Sequence, residues 1–397
     1  MNLVVTTEHR FACTPDGAIW TQTMFAYPFW TRYLEIFDRV RVVARVLEVP
    51  SIPPDWQRAD GEKVTFASIP HYIGLGQYLL KAKKVQCAAR NAVGKSDAVI
   101  LRLGSQIATC IEPMLRQTGH PYGVEVVSDP ADAFAPGAIE HPLSPFFRWW
   151  FPRLLQNQCA GACGVAYVTE RALQLRYPPA RNAFSTHCSD VELPDVAFVP
   201  VPRLSHPSSG TMTLVNVGSM AQTYKGQDVL IDAVAACIQE RLDIKLILIG
   251  DGKHRSALEA RVAKLGIEDR VCFFGQISAG DAVRTQLDRA DLFILPSKTE
   301  GMPRAMLEAM ARGLPCIGST VGGIPELLPP EDTVLPGDIT ALKQKILEVL
   351  TNPERLSYMS ARNLEKAKEY RDEILHQRRN EFYRQLRERT KAWREQK

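Results

Sequence analysis

The segment that decides the fold is Leu292–Leu328, which reads LFILPSKTEGMPRAMLEAMARGLPCIGSTVGGIPELL. It opens with an apolar run that favours a buried strand, and this run ends at Pro296. After a polar loop, Pro303 stands where the first residue of a helix is expected, because that position tolerates the missing N–H of proline. The helix is predicted to run to Arg312, with Gly313 as its cap. A strand followed by a loop and a helix predicts an α/β unit with a parallel sheet.

The same segment predicts a phosphate site. A helix N-terminus beside the carboxyl end of a strand offers unpaired N–H groups and partial positive charge. Glu300 precedes this helix, and Glu308 lies five residues beyond Pro303, about 8 Å farther along the axis at ~1.5 Å per residue. Carboxylates at these two places can accept hydrogen bonds from sugar hydroxyls on either side of a diphosphate. From the spacing alone, a solvated helix face with two incidental glutamates is an equal alternative.

Strands and helices alternate outward from this segment. Apolar runs predict strands of a second domain at Thr213–Val217, Lys245–Ile249, Val271–Phe274, Leu292–Leu295 and Cys316–Ser319. Similar runs predict strands of a first domain at Asn2–Thr6, Arg39–Val46, Asp97–Leu103, Tyr122–Val127 and Gly164–Val168. The stretch Leu193–Ser209 is rich in proline and serine and is interpreted as an interdomain linker.

This order predicts two doubly wound, Rossmann-like domains that face each other across a cleft. The first domain is expected to span residues 1–200 and the second residues 201–371. The C-terminal segment 372–397 is predicted to be a helix that packs back on the first domain. One face of that helix carries Leu375, Phe382, Leu386 and Trp393.

Composition narrows the class of protein. The 397 residues are 45% hydrophobic and 23% charged, values of a soluble globular protein with two domains. No apolar run reaches the ~20 residues that span a bilayer, and the first residues show no secretory signal. The nine scattered cysteines indicate reduced thiols in a cytoplasmic protein. A net charge of +4 suits phosphorylated ligands or an acidic surface and does not argue for nucleic acid.

The segment resembles the donor-binding signature of the retaining glycosyltransferases of family 4 (glycosyl transferases group 1), which have the GT-B fold. That signature has two glutamates separated by seven residues and a later GGxPE element, here Glu300, Glu308 and Gly322–Glu326. The resemblance implies that residues 1–200 bind the acceptor and residues 201–371 the donor. It further implies that Glu300 contacts the transferred sugar and Glu308 the ribose. It also implies that the backbone lies against the sugar and phosphates at Gly301, Met302 and Pro303.

The resemblance extends to Val217–Gly226, the loop after the first strand of the second domain. In the family, an arginine comes shortly after the glycine that corresponds to Gly218, and a lysine comes later in the loop. Both of these side chains bind the diphosphate. Lys225 matches the lysine, whereas Ser219 occupies the place of the arginine. Another cation is then needed, and Arg304 is a candidate, although a surface arginine at a helix start is the simpler interpretation.

The sequence gives weaker signals for the base pocket and for a metal requirement than for the two glutamates. By the same resemblance, the backbone at Gln276 and Ile277 lines the base pocket, where it can read either a uracil or a guanine edge. We favour a UDP-sugar over a GDP-sugar as donor. No cofactor is expected. No Asp-x-Asp motif occurs in the chain, which fits a metal-independent transferase with no metal ligands.

The first domain carries two further candidates. Asp129 stands where many relatives have a histidine, and it is a candidate to orient the sugar or accept the acceptor's proton. A cap before Pro130 is an equally good interpretation. Phe146–Leu155 (FFRWWFPRLL) suits contact with a membrane surface, to which Lys81, Lys83 and Lys84 add positive charge. An aromatic core helix is the equal alternative.

The resulting hypothesis is an enzyme that transfers a hexose from a nucleoside-diphosphate sugar to a hydroxyl of a glycan or lipid-linked acceptor with retention of configuration. Lys225, Glu300 and Asp129 are its catalytic candidates. We expect a role in bacterial polysaccharide or glycolipid synthesis, at a cytoplasmic location that includes the inner face of the cell membrane. The alternatives are a non-catalytic protein that binds nucleotide sugars or glycans, and a phosphorylase or epimerase on the same fold.

Overall fold

The computed structural model describes residues 1–135, 141–204 and 210–397, and it contains two separate sheets. The strands of the first sheet lie within residues 2–187 and those of the second within residues 212–334. The expected doubly wound α/β architecture is therefore present in both halves. The linker predicted at Leu193–Ser209 falls between the sheets, and its last residues, 205–209, lie outside the described part of the chain. The predicted domain boundary at residue 200 stays a prediction.

The first domain is built around a mostly parallel sheet. Its strands are β1 (Asn2–Cys13), β2 (Ile19–Thr21), β3 (Arg39–Glu48), β4 (Gln57–Arg58), β5 (Val64–Pro70), β6 (Ala98–Leu103), β7 (Gly123–Val126), β8 (Gly164–Tyr167) and β9 (Phe184–His187). Its helices are α1 (Tyr27–Thr31), α2 (Gly74–Asn91), α3 (Gln106–Thr118), α4 (Pro130–Ala133), α5 (Ser144–Gly161) and α6 (Ala172–Arg176).

The parallel part of the first sheet runs β5-β3-β1-β6-β7-β8-β9, and β2 and β4 pair antiparallel beyond it. The strand predicted at Asn2–Thr6 is longer than expected. After a register shift between Thr6 and Arg10, it continues to Cys13 and pairs again with β3. The polar residues of the shifted segment hide this continuation from a pattern of apolar residues.

The second domain has a fully parallel six-stranded sheet. Its strands are β10 (Met212–Val217), β11 (Ile244–Ile249), β12 (Val271–Gly275), β13 (Leu292–Leu295), β14 (Cys316–Ser319) and β15 (Thr333–Val334), in the order β12-β11-β10-β13-β14-β15. Its helices are α7 (Gln227–Gln239), α8 (Arg255–Leu265), α9 (Asp281–Asp288), α10 (Arg304–Ala311), α11 (Ile324–Leu327), α12 (Ile339–Leu350) and α13 (Pro353–Ala367).

The last helix, α14 (Asp372–Glu395), leaves the second domain and packs on the first sheet, as predicted. Three residues of the apolar face predicted for this helix are buried, namely Leu375, Phe382 and Leu386. Two glycines of the sheet make room for it. A Cβ atom at Gly123 would lie 2.8 Å from the Phe382 ring, so only glycine lets the helix approach this closely.

A buried cluster of charges joins α14 to the first domain. Arg102 donates to Glu125 Oε2 at 2.6 Å and also pairs with Asp190. Arg32 donates to Asp190 Oδ1 at 3.0 Å, and the Tyr383 hydroxyl of α14 donates to Glu125. Burial by itself would raise the pKa of Asp190, but the nearby guanidinium groups, Arg102 above all, hold it well below its usual range. The cluster stays ionised because every charge in it has a partner of opposite sign.

Replacing Asp190 with asparagine should strongly destabilise the first domain. The change leaves the buried Arg32 guanidinium without the counter-charge of Asp190, and Arg102 then keeps Glu125 but loses its second carboxylate. Removing one partner of a buried pair costs about 3–5 kcal/mol. Urea unfolding followed by circular dichroism measures the loss. Asp195→Asn is the matched control, because the side chain of Asp195 is largely exposed. Equal unfolding midpoints for the two variants would contradict the assigned role of the cluster.

Candidate active site

The site lies where the strand order of the second sheet reverses. β10 and β13 are parallel neighbours, and the chain runs from β10 toward one edge of the sheet and from β13 toward the other. In open parallel sheets, ligands bind beside such a switch point, outside the carboxyl ends of the strands. Lys225 follows β10 and Glu300 follows β13. The topology therefore brings together two residues that lie 75 positions apart in the sequence.

Lys225 and Glu300 form an ion pair at this switch point. The Lys225 Nζ atom lies 2.6 Å from Glu300 Oε1, and the fully buried Ser297 hydroxyl donates to the same oxygen at 2.7 Å. Glu300 is only 9% exposed. A buried carboxylate that is held by a cation and a hydroxyl is fixed in orientation.

The loop that carries Lys225 is closed against the end of β13. Gly226 has a φ of 70°, and a Cβ atom there would lie 2.2 Å from the Pro296 carbonyl oxygen. The Lys298 backbone N–H also donates to the Tyr224 carbonyl at 2.7 Å. Only glycine permits this approach, so Lys225 is placed beside Glu300 by the backbone and not by its own flexible side chain.

The loop after β10 supplies no second cation at the place where relatives carry an arginine. The Ser219 hydroxyl accepts the Ala221 backbone N–H at 3.2 Å, and the Gly218 N–H donates to the Ile249 carbonyl at 2.9 Å. Arg304 is the first residue of α10 and is exposed beside the loop of Glu300. Its role as the additional cation stays a prediction.

The segment Gly301–Pro303 connects Glu300 to α10. The helix begins at Arg304, and Pro303 is its N-cap in an extended conformation, so the prediction that Pro303 is the first helical residue was wrong by one position. The proline side chain offers no acceptor, so the first N–H groups of the helix have no side-chain cap at this edge of the sheet. A Cβ atom at Gly301 would lie 2.4 Å from the Val127 carbonyl oxygen of the first domain.

Glu308 lies on α10, farther from the switch point. Burial raises the pKa of its carboxyl above the ordinary value. The positive charges of Arg304 and Arg284 oppose this shift, and the negative charge of Glu192 adds to it. A carboxylate that is half-buried and flanked by cations suits an acceptor of ribose hydroxyl hydrogen bonds, which is the role implied by the resemblance.

The base pocket is predicted at the end of β12. Gln276 is exposed just beyond this strand, and Ile277 is half-buried and packs against the core. Both follow Gly275, which has a φ of 82° and turns the chain away from the sheet. The structure places these residues at the carboxyl edge that carries Lys225 and Glu300.

Asp129 lies at the carboxyl end of β7 in the first domain, and its carboxylate has partners within that domain. It accepts the Ala131 backbone N–H at 2.8 Å, pairs with Arg176 and accepts the Tyr177 hydroxyl hydrogen bond. Asp129 is the N-cap of α4. This arrangement favours the capping interpretation that the sequence left open, and the catalytic role of Asp129 stays a prediction.

The sequence assigned no role to three residues at the cleft. Ser297 holds Glu300, and Glu326 of α11 reaches the first domain. Glu8 accepts hydrogen bonds from the Ser105 hydroxyl and the Gln106 N–H, both at 2.9 Å, and so occupies the start of α3. The available signals were the position of Ser297 directly after an apolar strand and the place of Glu326 in the GGxPE element, but the partners of Glu8 and Glu326 are remote in the sequence.

Solved structures share this architecture. A sucrose-phosphate synthase from Thermosynechococcus elongatus matches with a TM-score of 0.70 at 19% identity, over 97% of this chain and 99% of that one. The HepE protein of Anabaena, solved in complex with UDP-glucose, matches with a TM-score of 0.64 at 18% identity, over 99% of this chain and 100% of that one. The two facing doubly wound domains and the returning C-terminal helix are therefore the GT-B fold.

Sequence comparison matches the second domain to a family. Residues 211–352 match the family described as glycosyl transferases group 1. Protein CapJ of Staphylococcus aureus is 28% identical over 326 residues, which cover 81% of this chain and 80% of CapJ. The chain is similar to the group 1 glycosyltransferases, and the resemblance inferred from its sequence is confirmed.

Binding of UDP-glucose, used as a donor probe, should weaken as the pH falls through the raised pKa of Glu308. The carboxylate is ionised and accepts ribose hydrogen bonds above that pKa, and it loses this capacity below it. Calorimetry over a pH series that runs from neutral pH down to the ordinary pKa of a glutamate, about 4.3, measures the effect. Glu308→Gln should bind about tenfold more weakly at neutral pH and should lose the pH dependence, since hydrogen bonds to charged groups contribute about 1.5–3 kcal/mol. Parent-like binding by this variant would rule out the role of Glu308.

Proposed function

We propose that this glycosyltransferase moves a hexose from a UDP-sugar to a hydroxyl of a glycan or lipid-linked acceptor, with retention of configuration and without a metal ion. The acceptor belongs to bacterial polysaccharide or glycolipid synthesis. The protein acts in the cytoplasm, in part at the inner face of the cell membrane. The observation that carries this proposal is the Lys225–Glu300 pair of 2.6 Å at the switch point.

The pair matches the charge pattern of a sugar diphosphate. The phosphates need a cation and unpaired N–H groups, and Lys225 and the start of α10 supply them at the same edge of the sheet. The sugar hydroxyls need an acceptor, and the Glu300 carboxylate lies within a hydrogen bond of the cation. A sugar bound here has its anomeric bond at the cleft, directed toward the first domain.

The proposed chemistry follows from where charge develops. In the transition state the sugar gains positive charge and the departing diphosphate gains negative charge. Lys225 and the dipole of α10 stabilise the leaving group, and Glu300 orients the sugar through its hydroxyls. Because both protein groups are already fixed by Ser297 and Gly226, they need little reorganisation during the reaction.

The proposed UDP-sugar donor rests on two kinds of support. The resemblance of the sequence favours UDP over GDP, and HepE, a protein of the same fold, is described in complex with UDP-glucose. A thermal-shift screen against UDP, GDP and ADP sugars decides between the bases, since a ligand that binds only the folded state raises its stability.

The proposed lipid-linked acceptor is supported by the surface of the first domain. On α5, Phe146, Trp149 and Trp150 are 51%, 49% and 42% exposed, which contradicts the alternative of an aromatic core helix. The start of α2 adds exposed Leu79 and Leu80, and Lys81, Lys83 and Lys84 follow on the same helix. Neither α2 nor α5 contains an acidic residue. In the chain, α2 follows β5, and α5 lies between β7 and β8, so we place this aromatic and basic surface beside the predicted acceptor site.

Within residues 1–135, 141–204 and 210–397, no helix has the length and the apolar content to cross a membrane. The proposed contact is therefore one between a surface of the protein and the membrane interface, where aromatic rings and basic side chains are favourable.

Glu300→Gln should lower the rate of sugar transfer by at least about 10²-fold, the effect of removing one preorganised polar group at a reacting centre. The change keeps the volume of the side chain but removes the charge that pairs with Lys225. Release of the nucleoside diphosphate, with and without acceptor, measures transfer and hydrolysis. Glu268→Gln, at an exposed position of the same domain, is the matched control. Full activity of the Glu300 variant would refute the assignment.

Replacement of both Trp149 and Trp150 with serine should reduce binding to vesicles of phosphatidylglycerol and phosphatidylcholine by about tenfold or more. Sedimentation with the vesicles measures binding, and the parent should bind less at high salt because its basic residues are then screened. Tyr358→Ser is the control, since Tyr358 is an exposed aromatic residue of the second domain. Absence of binding by the parent, or unchanged binding by the double variant, would exclude the membrane contact.

A further inference from the structure

Glu326 connects the second domain to the first through backbone hydrogen bonds. Its Oε2 atom accepts the Glu170 N–H at 2.6 Å, and its Oε1 atom accepts the N–H groups of Arg171 and Ala172 at 3.0 and 2.7 Å. These N–H groups lie just after β8, where α6 begins. The first N–H groups of a helix have no partner within it, so a carboxylate from the other domain satisfies them.

The segment that carries Glu326 is locked to the loop of Glu300. The Gly323 N–H donates to the Gly301 carbonyl at 2.7 Å, and a Cβ atom at Gly322 would lie 2.1 Å from the Glu300 carbonyl oxygen. Gly322 has a φ of 52°, a conformation that glycine adopts without strain. Because the two backbone segments touch, Glu326 and Glu300 are expected to move as one body.

The same loop touches the first domain at a second point. Gly301 packs against the Val127 carbonyl oxygen and the Val168 side chain at the carboxyl ends of β7 and β8. Glu326 binds the chain two residues beyond Val168. Together, the Gly301 and Glu326 contacts hold the loop that carries Glu300 (the donor loop) against the carboxyl ends of β7 and β8, which form the cleft wall of the first domain. These two contacts fix the distance between Glu300 and the first domain.

The C-terminal end of α6 contacts Asp129 in the first domain. Arg176 and Tyr177, at its end, hold the Asp129 carboxylate. A shift of α6 would therefore move Asp129 and the end of β7 with it. The start of α6 is bound by Glu326 and its end supports Asp129, so the helix links the donor loop to the acceptor side of the cleft.

We propose that Glu326 is a positioning residue that couples closure of the two domains to the placement of Glu300. This inference rests on the proposed function, because it assigns Glu326 a part in the transfer step. In the closed form its carboxylate caps α6 and holds Glu300 at the cleft wall. When the domains separate, these three hydrogen bonds break and the donor loop stays with the second domain. Glu326 acts through the geometry of the site and does not touch the reacting atoms.

Kinetics of Glu326→Ala and Glu326→Gln test this inference. For the alanine variant we expect kcat to fall by about 10²-fold, the effect of misplacing reacting groups by about 1 Å. The affinity for UDP should stay within about twofold, because the second domain binds the nucleotide without help from α6. The glutamine variant keeps one acceptor oxygen and should show an intermediate kcat. Glu331→Ala, at an exposed position five residues on, should behave as the parent does.

Hydrogen exchange gives a readout that does not depend on catalysis. In Glu326→Ala the amides of Glu170, Arg171 and Ala172 should exchange faster than in the parent. The Leu173 amide should be unchanged, because it is bound by the Thr169 hydroxyl at 3.0 Å within the first domain. Faster exchange at Leu173 as well would indicate that α6 unfolds, and the glutamine variant would then carry the kinetic test.

The outcomes separate this inference from the proposed function. If the parent transfers sugar and Glu326→Ala does so at the same kcat, the coupling role is refuted and the proposed function stands. An equal loss of kcat and UDP affinity in both Glu326 variants would show a general structural role and would also overturn the inference. If the parent transfers no sugar from any nucleotide donor, the proposed function fails, and unchanged amide exchange in Glu326→Ala would refute the interdomain contact independently.

Discussion

The backbone on either side of Glu300 is enclosed at distances that only glycine allows. Three glycines pack directly against backbone carbonyl groups. The pairs are Gly226 with Pro296, Gly322 with Glu300, and Gly301 with Val127. In each case an added Cβ atom would lie 2.1–2.4 Å from a backbone oxygen. These contacts join the loop after β10, the loop after β13, the start of α11 and the edge of the first domain. This close backbone packing determines the position of the ion pair between Lys225 and Glu300. It also determines how the first domain lies against that pair.

The switch points of the two sheets carry different charged residues. In the second sheet the switch point between β10 and β13 holds Lys225 and Glu300, both near the opening of the cleft. In the first sheet the corresponding point lies between β1 and β6, and Glu8 occupies it by accepting hydrogen bonds from Ser105 and Gln106 at the start of α3. A carboxylate there repels an anion that would otherwise bind a helix N-terminus. The distribution of charge thus favours phosphate binding in the second domain.

Most of the second domain could be predicted because its strands are short apolar runs separated by glycine and proline. Each predicted strand from Thr213–Val217 to Cys316–Ser319 agrees with an observed one to within a residue or two. The first domain was less predictable. The bulge in β1 interrupts its apolar pattern, and the segment Phe146–Leu155 has a composition that fits either a core or a surface helix. Only the packing of α5 on its neighbours shows which of its aromatic rings stay exposed.

By itself, the sequence determined the alternation of strands and helices, the resemblance to a glycosyltransferase family and the presence of a lysine and a glutamate in the loops after two strands of the second sheet. These depend on local periodicity and on short motifs. The tertiary structure alone decided that Lys225 forms an ion pair with Glu300 and that Glu326 binds the start of α6. The physical reason is that both contacts join segments that lie far apart in the sequence. The partners of Glu326 are backbone N–H groups more than 150 positions away, and no residue type marks such groups in a sequence.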